Sequence, residues 1–135
     1  MEKLIELGAD IIAFDSTDRM RPFSIKQIIR KIHSFKKIAM ADCSNLKEAI
    51  YAAENGADIL ATTLAGYTDN KPIPKNPDFK FLNSVLAKLD HPVIAEGRFN
   101  NPASFKKAIN MGAHAVVVGT ALNRIELITQ SFLYE

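Results

Sequence analysis

Three similar stretches decide the fold: LGADII at residues 7–12, NGADIL at 55–60 and MGAHAV at 111–116. In each stretch a glycine comes at the end of a helical pattern, and an apolar, strand-like run follows it. A glycine just past the end of a helix takes up a left-handed backbone conformation at no steric cost, so it commonly ends the helix. The three stretches therefore predict three places where a helix ends and a strand begins.

Apolar runs and helical patterns alternate along the whole chain. Five strands are predicted, at residues 10–15, 37–42, 58–63, 92–96 and 114–119. Helices are predicted at residues 24–35, 44–55, 78–89, 102–110 and 123–132. Ser24 and Ser44 are expected to cap the first two of these helices. Because the strands are nearly continuous hydrophobic runs, they are typical of parallel strands buried on both faces.

Alternating strands and helices, joined by right-handed crossovers, form a parallel sheet with helices packed outside it. Two architectures share this pattern: an open, doubly wound sheet and part of a (β/α)8 barrel. Both bind ligands at the carboxyl ends of their strands. The long connection at 64–77 holds three prolines and a glycine. It is either a functional loop or a mobile surface loop, and the sequence favours the two interpretations equally.

The composition is that of a single soluble domain. The chain has 135 residues, of which 47% are hydrophobic and 24% are charged. Its net charge of +2 is too small to indicate nucleic-acid binding, and no apolar run approaches the roughly 20 residues of a membrane span. A single cysteine, Cys43, and the absence of a signal-peptide pattern at the N-terminus indicate the reducing cytoplasm.

Three of the five predicted strands end in a carboxylate: Asp15, Asp42 and Glu96. A single acidic residue at a strand end is more often a cap for the following helix. Three of them on one rim, the edge of the sheet formed by the carboxyl ends of the strands, are harder to explain as helix caps. Like charges in a cleft raise one another's affinity for protons, which suits acid–base chemistry near neutral pH.

The last two strand ends have the features of an anion site. Gly97 and Gly119 would let the backbone approach an anion closely, and Thr120 opens a short final helix. Barrel enzymes often bind a phosphate between the loops after their last two strands, at the start of such a helix. Arg98 and Arg124 lie nearby in sequence and could donate charge-assisted hydrogen bonds. These residues therefore predict a phosphate site.

Other kinds of site lack support in the sequence. The histidines His33, His91 and His114 have no metal-ligand spacing to one another or to Cys43, so no metal is expected. No glycine-rich nucleotide-binding motif is present. Cys43 follows Asp42 at a predicted helix start, but no histidine lies near it in sequence, and it is interpreted as a small, half-buried residue.

Five segments of the chain form a recognisable set: AFDSTDRMRP (13–22), AMADCSNLKEA (39–49), ADILATTLAGYT (57–68), PVIAEGRFNNPASFKKAINMGAHAVVVGTALNR (92–124) and ITQSF (128–132). Together, over residues 8–132, they closely resemble the N-acetylmannosamine-6-phosphate 2-epimerase family. The resemblance implies a (β/α)8 barrel that interconverts N-acetylmannosamine 6-phosphate and N-acetylglucosamine 6-phosphate during sialic acid breakdown. The D-x-T-x-R-x-R-P and TTLAGYT segments disfavour another phosphosugar barrel, such as a tryptophan- or histidine-pathway isomerase.

The resemblance also implies roles for residues at matching positions. Asp42 would be an active-site aspartate, and Glu96 would contact the sugar near the reacting carbon. Thr63 and Tyr67 would lie beside the substrate cleft. Five residues would hold the phosphate: Gly97, Arg98, Gly119, Thr120 and Arg124. Four residues of the 13–22 segment would lie on the rim without an assigned role: Asp15, Thr17, Arg19 and Arg21.

The implied chemistry agrees with carboxylates at the strand ends. In the open-chain sugar the C2 proton is α to the C1 aldehyde, so a base can remove it to give an enolate-like intermediate. Return of a proton to the opposite face inverts C2, and donors around the aldehyde oxygen stabilise the developing charge. The reaction needs no cofactor.

Residues 1–135 resemble the fourth to eighth βα units of the family's barrel. Family members carry about 90 further N-terminal residues, with three strands, a substrate-side arginine and a lysine thought to be the key acid–base group. Five strands cannot close an eight-stranded barrel, so both sheet edges and some of the apolar interior are expected to be exposed.

Two explanations of this length remain open. In the first, the chain is a truncated family member or one piece of a longer polypeptide. In the second, it is a naturally short protein that pairs with a second chain or, as a homo-oligomer, with another copy of itself. Epimerase activity would then reside in the full-length or assembled form. The alternative function is a non-catalytic remnant that binds a phosphosugar or serves as an interaction module.

Overall fold

The computed structural model describes residues 1–69 and 71–133, except for the side chain of Ser131. The strands are β1 (Ile11–Asp15), β2 (Ile38–Asp42), β3 (Ile59–Ala61), β4 (Val93–Glu96) and β5 (Ala115–Val117). The helices are α1 (Glu2–Glu6), α2 (Ile25–Ser34), α3 (Leu46–Glu54), α4 (Phe79–Lys88), α5 (Pro102–Asn110), α6 (Thr120–Asn123) and α7 (Ile125–Ser131). Every predicted strand and helix occurs, with ends that differ from the prediction by a few residues.

The five strands form one parallel sheet in the order β1-β2-β3-β4-β5. A doubly wound sheet reverses its strand order at a switch point, whereas a barrel adds each new strand beside the previous one. The observed order has no reversal, so it excludes the doubly wound alternative and confirms the barrel type of fold. The register aligns the carboxyl ends of the first two strands, with Asp15 opposite Asp42.

One face of the sheet carries the hydrophobic core. Its side chains come from alternate strand positions, such as Ala39, Leu60 and Ala95, and they are fully buried with those of the helices. Ile29 of α2 and Leu82 of α4 are among the largest fully buried side chains. The helices cover this one face because right-handed crossovers between successive parallel strands place every connecting helix on the same side.

The opposite face of the sheet holds both apolar and acidic side chains. Side chains alternate between faces along a strand, so Ile38 and Asp42 of β2 lie on the same face. Ile11, Ile38 and Val117 are 45%, 41% and 40% exposed. In a closed barrel this face is the interior. The expectation of an exposed apolar interior is therefore confirmed, and the acidic strand ends lie at the carboxyl end of that face.

The predicted glycines do end helices. Gly8, Gly56 and Gly112 follow α1, α3 and α5, and their φ angles are +92°, +98° and +105°. This is the left-handed conformation that glycine adopts without strain. The three helix-to-strand junctions that the sequence predicts are therefore confirmed.

Ser24 caps α2 as predicted, in a reciprocal capping box with Gln27, but the cap of α3 is a different residue. The side-chain oxygen of Asn45 accepts a hydrogen bond from the Glu48 N–H at 3.1 Å. Ser44 instead donates from its N–H and its hydroxyl to the Glu48 carboxylate, at 2.8 and 2.7 Å. The prediction of Ser44 as the cap is wrong by one residue, because Asn45 is the residue with a glutamate three positions on.

Replacing Ser24 with alanine should destabilise the protein through the start of α2. The variant loses the hydroxyl that accepts a hydrogen bond from the Gln27 N–H at 3.3 Å. We expect the free energy of unfolding, measured by urea denaturation, to fall by about 1 kcal/mol, as for other N-cap serines. Ser84→Ala is the control, because Ser84 lies inside α4, where alanine is a better helix former. An equal loss in both variants would contradict the capping role.

Candidate active site at the carboxyl ends of the strands

The end of β3 holds the end of β4 through a threonine side chain. The Thr62 hydroxyl donates to the Glu96 carbonyl oxygen at 2.8 Å, and its oxygen accepts from the Glu96 N–H at 3.0 Å. Thr62 is only 4% exposed, so both hydrogen bonds are shielded from water. One side chain therefore fixes both main-chain groups of Glu96, and with them the point from which its carboxylate projects.

The next residue, Thr63, lies between two carboxylates. Its Oγ1 is 2.8 Å from Oδ1 of Asp42 on β2 and 3.1 Å from Oε2 of Glu96 on β4. We call Asp42, Thr63 and Glu96 the carboxylate bridge. The structure thus brings together the two residues that were predicted to be catalytic and one that was predicted to line the cleft. Their roles in binding or catalysis stay predictions.

The surroundings of Asp42 favour its protonated form. Burial raises the pKa of Asp42 above its ordinary value, and the negative charges of Glu96 and Asp15 raise it further. The hydrogen bond from Thr63 opposes this increase without cancelling it. A carboxyl group with a raised pKa holds a proton at a pH closer to neutrality, which is the property that acid–base chemistry requires.

Asp15 lies opposite Asp42 in the sheet but has different partners. Its carboxylate accepts hydrogen bonds from the N–H and the hydroxyl of Thr17, at 2.8 and 2.6 Å, and pairs with Arg19 at 2.6 Å. Arg21 also contacts this carboxylate and donates to the carbonyl oxygens of Asp15 and Thr17. Burial alone would raise the pKa of Asp15, but these hydrogen bonds and charges outweigh it and hold the pKa below its ordinary value. Asp15 is therefore an ionised anchor for the loop after β1.

Arg98 fastens the 64–77 connection to the rim. Its Nε donates to the Asn76 carbonyl oxygen at 2.8 Å, and its Nη1 donates to the Ala65 carbonyl oxygen. The guanidinium also lies over the Tyr67 ring, 5.1 Å from the ring centre. These contacts hold the connection near its beginning and near its end. They engage the guanidinium with protein groups, and the predicted role of Arg98 in phosphate binding stays a prediction.

The turn after β4 has an unusual backbone. Gly97 and the following Arg98 both adopt left-handed conformations, with φ of +105° and +64°. That conformation costs a non-glycine residue roughly 1–2 kcal/mol, and backbone strain of this kind persists where surrounding contacts enforce it. A Cβ on Gly97 would lie at an ordinary 3.5 Å from the Thr63 carbonyl oxygen, so conformation rather than space requires glycine there.

The remaining predicted phosphate residues come after β5, and β5 pairs with β4. They are Gly119, Thr120 and Arg124. Gly119 and Thr120 are exposed at the start of α6. The helix predicted at 123–132 is divided into α6 and α7, and Arg124 lies at their junction with an ion pair to Glu126. The structure therefore places the two glycine-containing strand ends side by side, and their binding of phosphate stays a prediction.

Glu48 is a buried rim residue that sequence reasoning missed. The residue is 7% exposed, and its carboxylate accepts a hydrogen bond from the Asp18 N–H at 3.0 Å as well as the two from Ser44. It therefore ties the loop after β1 to the loop after β2. The available signal was the spacing from Asn45 to Glu48, which places a glutamate where it can reach back over the helix start.

Other candidates are inert or absent in the part of the chain that the structure describes. Cys43 is fully buried rather than half-buried, and burial raises the pKa of its thiol to about 12. Such a thiol is not a nucleophile near neutral pH. Within residues 1–69 and 71–133, no group of His, Cys, Asp or Glu side chains could hold a metal ion, and no helix is long and apolar enough to cross a membrane.

The fold and the rim define the class of protein. It is part of a (β/α)8 barrel with an acidic, glycine-containing rim at the carboxyl ends of its strands. Residues 1–135 match the family described as "Putative N-acetylmannosamine-6-phosphate epimerase". The chain belongs to this family, and the resemblance noted from its motifs is confirmed.

Relatives from bacteria agree with this assignment. A Pasteurella multocida protein named "Putative N-acetylmannosamine-6-phosphate 2-epimerase" is 45% identical over 132 residues, which cover 98% of this chain and 57% of the relative. A Proteus mirabilis protein of the same name is 42% identical and is covered over 56% of its length. The chain therefore spans little more than half the length of the curated relatives that it matches.

Solved structures agree with the fold. The N-acetylmannosamine-6-phosphate 2-epimerase from Clostridium perfringens matches with a TM-score of 0.93 and 39% identity, over 98% of this chain and 58% of that one. Thiamine phosphate pyrophosphorylase from Pyrococcus furiosus matches with a TM-score of 0.65 and 22% identity, over 89% of this chain and 54% of that one. The second match shows a shared fold alone.

Replacing Asp15 with asparagine should cost stability at neutral pH and much less in acid. Because the pKa of Asp15 is lowered on folding, its ionised form stabilises the fold above the unfolded value of 3.8. This contribution is lost as the pH falls through the lower, folded pKa. We expect the free energy of unfolding at pH 7 to fall by about 1 kcal/mol, and the two proteins to converge in acid. Urea denaturation across this pH range measures both.

The control for this prediction is Asp18→Asn. Asp18 forms an exposed ion pair with Lys47 at 3.3 Å, and exposed pairs contribute little. A stability difference between wild type and Asp15→Asn that does not change with pH would contradict the ionised-anchor role.

Replacing Arg98 with lysine should loosen the 64–77 connection while keeping the positive charge. A lysine cannot present the guanidinium fork that reaches the Ala65 and Asn76 carbonyl oxygens. Losing contacts worth about 1 kcal/mol makes the detached state of the 64–77 connection about fivefold more populated. We therefore expect tryptic cleavage after Lys75 to be about fivefold faster. Arg124→Lys is the control. Equal cleavage rates in the two variants would show that Arg98 does not hold the connection.

Proposed function

We propose that this chain contributes the carboxylate and phosphate sides of an N-acetylmannosamine-6-phosphate 2-epimerase site. The substrates are N-acetylmannosamine 6-phosphate and N-acetylglucosamine 6-phosphate, which differ in configuration at C2. The observation that carries the proposal is the carboxylate bridge, with two carboxylates joined through Thr63 at the carboxyl ends of β2, β3 and β4. Family membership supplies the substrate class.

The proposed chemistry is removal and return of the C2 proton. Asp42 and Glu96 lie on either side of β3 with Thr63 between them, so both carboxyl groups can act on a sugar placed against the bridge, together with the acid–base lysine that the family resemblance places in the other barrel units. The raised pKa of Asp42 brings its proton exchange closer to neutrality. Proton removal α to the aldehyde gives an enolate-like intermediate, and its reprotonation on the other face inverts C2.

The phosphate of the substrate would lie at the neighbouring strand ends. Gly97, Gly119 and Thr120 follow β4 and β5, where exposed backbone can approach an anion. Arg98 and Arg124 add positive charge nearby. Binding the phosphate there supplies energy remote from the reacting carbon, and this energy holds C2 in place.

The proposal extends to the place of the chain in the barrel, its cellular role and its assembly. We infer that 1–135 form the fourth to eighth βα units of the barrel, with Tyr67 at the edge of the cleft. We further infer a cytoplasmic role in sialic acid catabolism, without nucleic-acid or membrane partners. The exposed apolar face of the sheet supports activity in an assembled form, either with the remaining barrel units or as a homo-oligomer.

The test is proton–deuterium exchange at C2 of N-acetylmannosamine 6-phosphate in heavy water, followed by NMR. It is run on this chain and on a fusion of this chain to the part of the Pasteurella multocida relative that it does not cover. We expect deuterium at C2 with the fusion protein. Exchange by the chain alone would place the base among its own residues. A folded fusion that binds the sugar phosphate without exchange would support the non-catalytic binding module instead.

Replacing Glu96 with glutamine in the active form should abolish exchange while sparing the fold. The amide keeps the shape of the side chain but cannot take or give the C2 proton. We expect the exchange rate to fall by roughly 100-fold or more, with sugar-phosphate binding retained. Glu54→Gln, at the exposed end of α3, is the control. Exchange at the wild-type rate in Glu96→Gln would remove Glu96 from the mechanism.

A further inference from the structure

We propose that the Arg98 side chain is a positioning residue that fixes the Tyr67 ring as one wall of the substrate cleft, rather than a hydrogen-bonding partner of the phosphate. The guanidinium lies over the ring, with Cζ 5.1 Å from the ring centre. In the same place it donates to the Asn76 carbonyl oxygen at 2.8 Å and to the Ala65 carbonyl oxygen. Arg98 therefore acts through the 64–77 connection and its tyrosine.

The guanidinium is committed to the connection. Turning it towards an anion would break both hydrogen bonds and uncover the aromatic ring. The backbone of Arg98 is itself left-handed, with φ of +64°, and such a conformation persists where the surrounding contacts enforce it. A Cβ on Gly66 would lie 2.9 Å from Cδ of Pro74 and 3.4 Å from Nη1 of Arg98, so both groups pack closely against this glycine. The positive charge still acts on a nearby anion, but the donors in use are aimed at the connection.

Tyr67 lies beside the turn that joins the two parts of the proposed site. A Cβ on Gly97 would be 4.0 Å from Cε2 of Tyr67, so an edge of the ring borders the turn after β4. This turn follows directly after Glu96, the last residue of β4. Tyr67 is 46% exposed although the guanidinium covers one face of its ring. Part of the ring is therefore open to a ligand in the cleft.

For the identity of that ligand, this inference rests on the proposed function. In N-acetylmannosamine 6-phosphate the reacting C2 and the phosphate on C6 are separated by C3, C4 and C5. With C2 near Glu96 and the phosphate at the glycine-containing strand ends, a ring beside Gly97 borders this middle part of the sugar. An aromatic ring offers an apolar surface to sugar C–H groups. Tyr67 thus helps to hold C2 in place, and Arg98 keeps Tyr67 ordered.

Two ligands separate recognition of the sugar from recognition of the phosphate. One is inorganic phosphate. The other is N-acetylmannosaminitol 6-phosphate, the reduced sugar, which has no aldehyde and cannot be epimerised. Calorimetry on the fusion protein measures the Kd of each. In Arg98→Lys we expect the Kd of the reduced sugar to rise about fivefold, the equivalent of about one hydrogen bond. The Kd of inorganic phosphate should change by less than about twofold, because the charge is kept.

A double-mutant cycle tests whether Arg98 acts through Tyr67. Tyr67→Leu removes the ring and should raise the Kd of the reduced sugar about as much as Arg98→Lys does. The variant with both changes should add little to the larger single effect. Tyr67→Phe keeps the ring and should bind like the wild type. Arg124→Lys is the matched control, because Arg124 lies outside the connection and should affect the two ligands equally.

The contact itself can be tested on this chain without ligand. The chain holds three tyrosines, so ¹³C-labelled tyrosine gives few ring signals, and Tyr67→Phe assigns those of Tyr67. We expect these signals to move towards their positions in an unfolded peptide in Arg98→Lys and to stay in place in Arg124→Lys. Signals that do not move in Arg98→Lys would overturn the positioning of the ring by Arg98.

The binding data can overturn the inference in two further ways. An equal rise in the Kd of both ligands in Arg98→Lys would show that Arg98 binds the phosphate directly. Additive effects of Arg98→Lys and Tyr67→Leu would show that Arg98 does not act through the ring.

The exchange assay separates this inference from the proposed function. The expected binding pattern together with no C2 exchange in the wild-type fusion protein would overturn the epimerase and leave the role of Arg98 intact. C2 exchange together with an equal rise in the Kd of both ligands in Arg98→Lys would overturn the role of Arg98 and leave the epimerase intact.

Discussion

The hydrogen bonds from the two threonines at the end of β3 to Glu96 hold the candidate site together. Successive residues of a strand point to opposite faces, so Thr62 and Thr63 act on different parts of the same glutamate. Thr62, on the buried side, binds its main chain, and Thr63, on the open side, binds its carboxylate. Because Thr63 also forms a hydrogen bond with Asp42, Thr62 and Thr63 together link the carboxyl ends of β2, β3 and β4.

Asp15 and Asp42 show how partners rather than position decide the behaviour of a carboxyl group. The two residues lie opposite each other at the ends of adjacent strands. Arginines and the Thr17 donors outweigh burial at Asp15 and lower its pKa, whereas burial and neighbouring negative charge dominate at Asp42 and raise its pKa. One carboxylate is therefore suited to anchoring a loop and the other to moving a proton. The negative charge kept at Asp15 also contributes to the raised pKa of Asp42.

The sequence predicts what depends on local pattern and strand order. Glycine caps and apolar runs predict the helices and strands, and parallel topology then places Asp42 and Glu96 on one rim. What it does not predict are contacts that depend on register and side-chain direction. The engagement of Arg98 with the 64–77 connection and the burial of Glu48 are of this kind. The position of Thr63 between two carboxylates requires three strands in a defined register, which no local pattern specifies.

The alternation that aims Asp42 and Glu96 at the open face also exposes apolar side chains there. On β2, Ile38 and Asp42 share that face, the first at the amino end and the second at the carboxyl end. The carboxylate bridge therefore lies at the edge of an apolar surface, and burial is already the main cause of the raised pKa of Asp42. Any segment that covers this surface removes more water from the bridge. This loss of water raises the pKa of Asp42, whereas a lysine or arginine on the covering segment would lower it, so assembly of the barrel and the proton affinity of Asp42 depend on the same face.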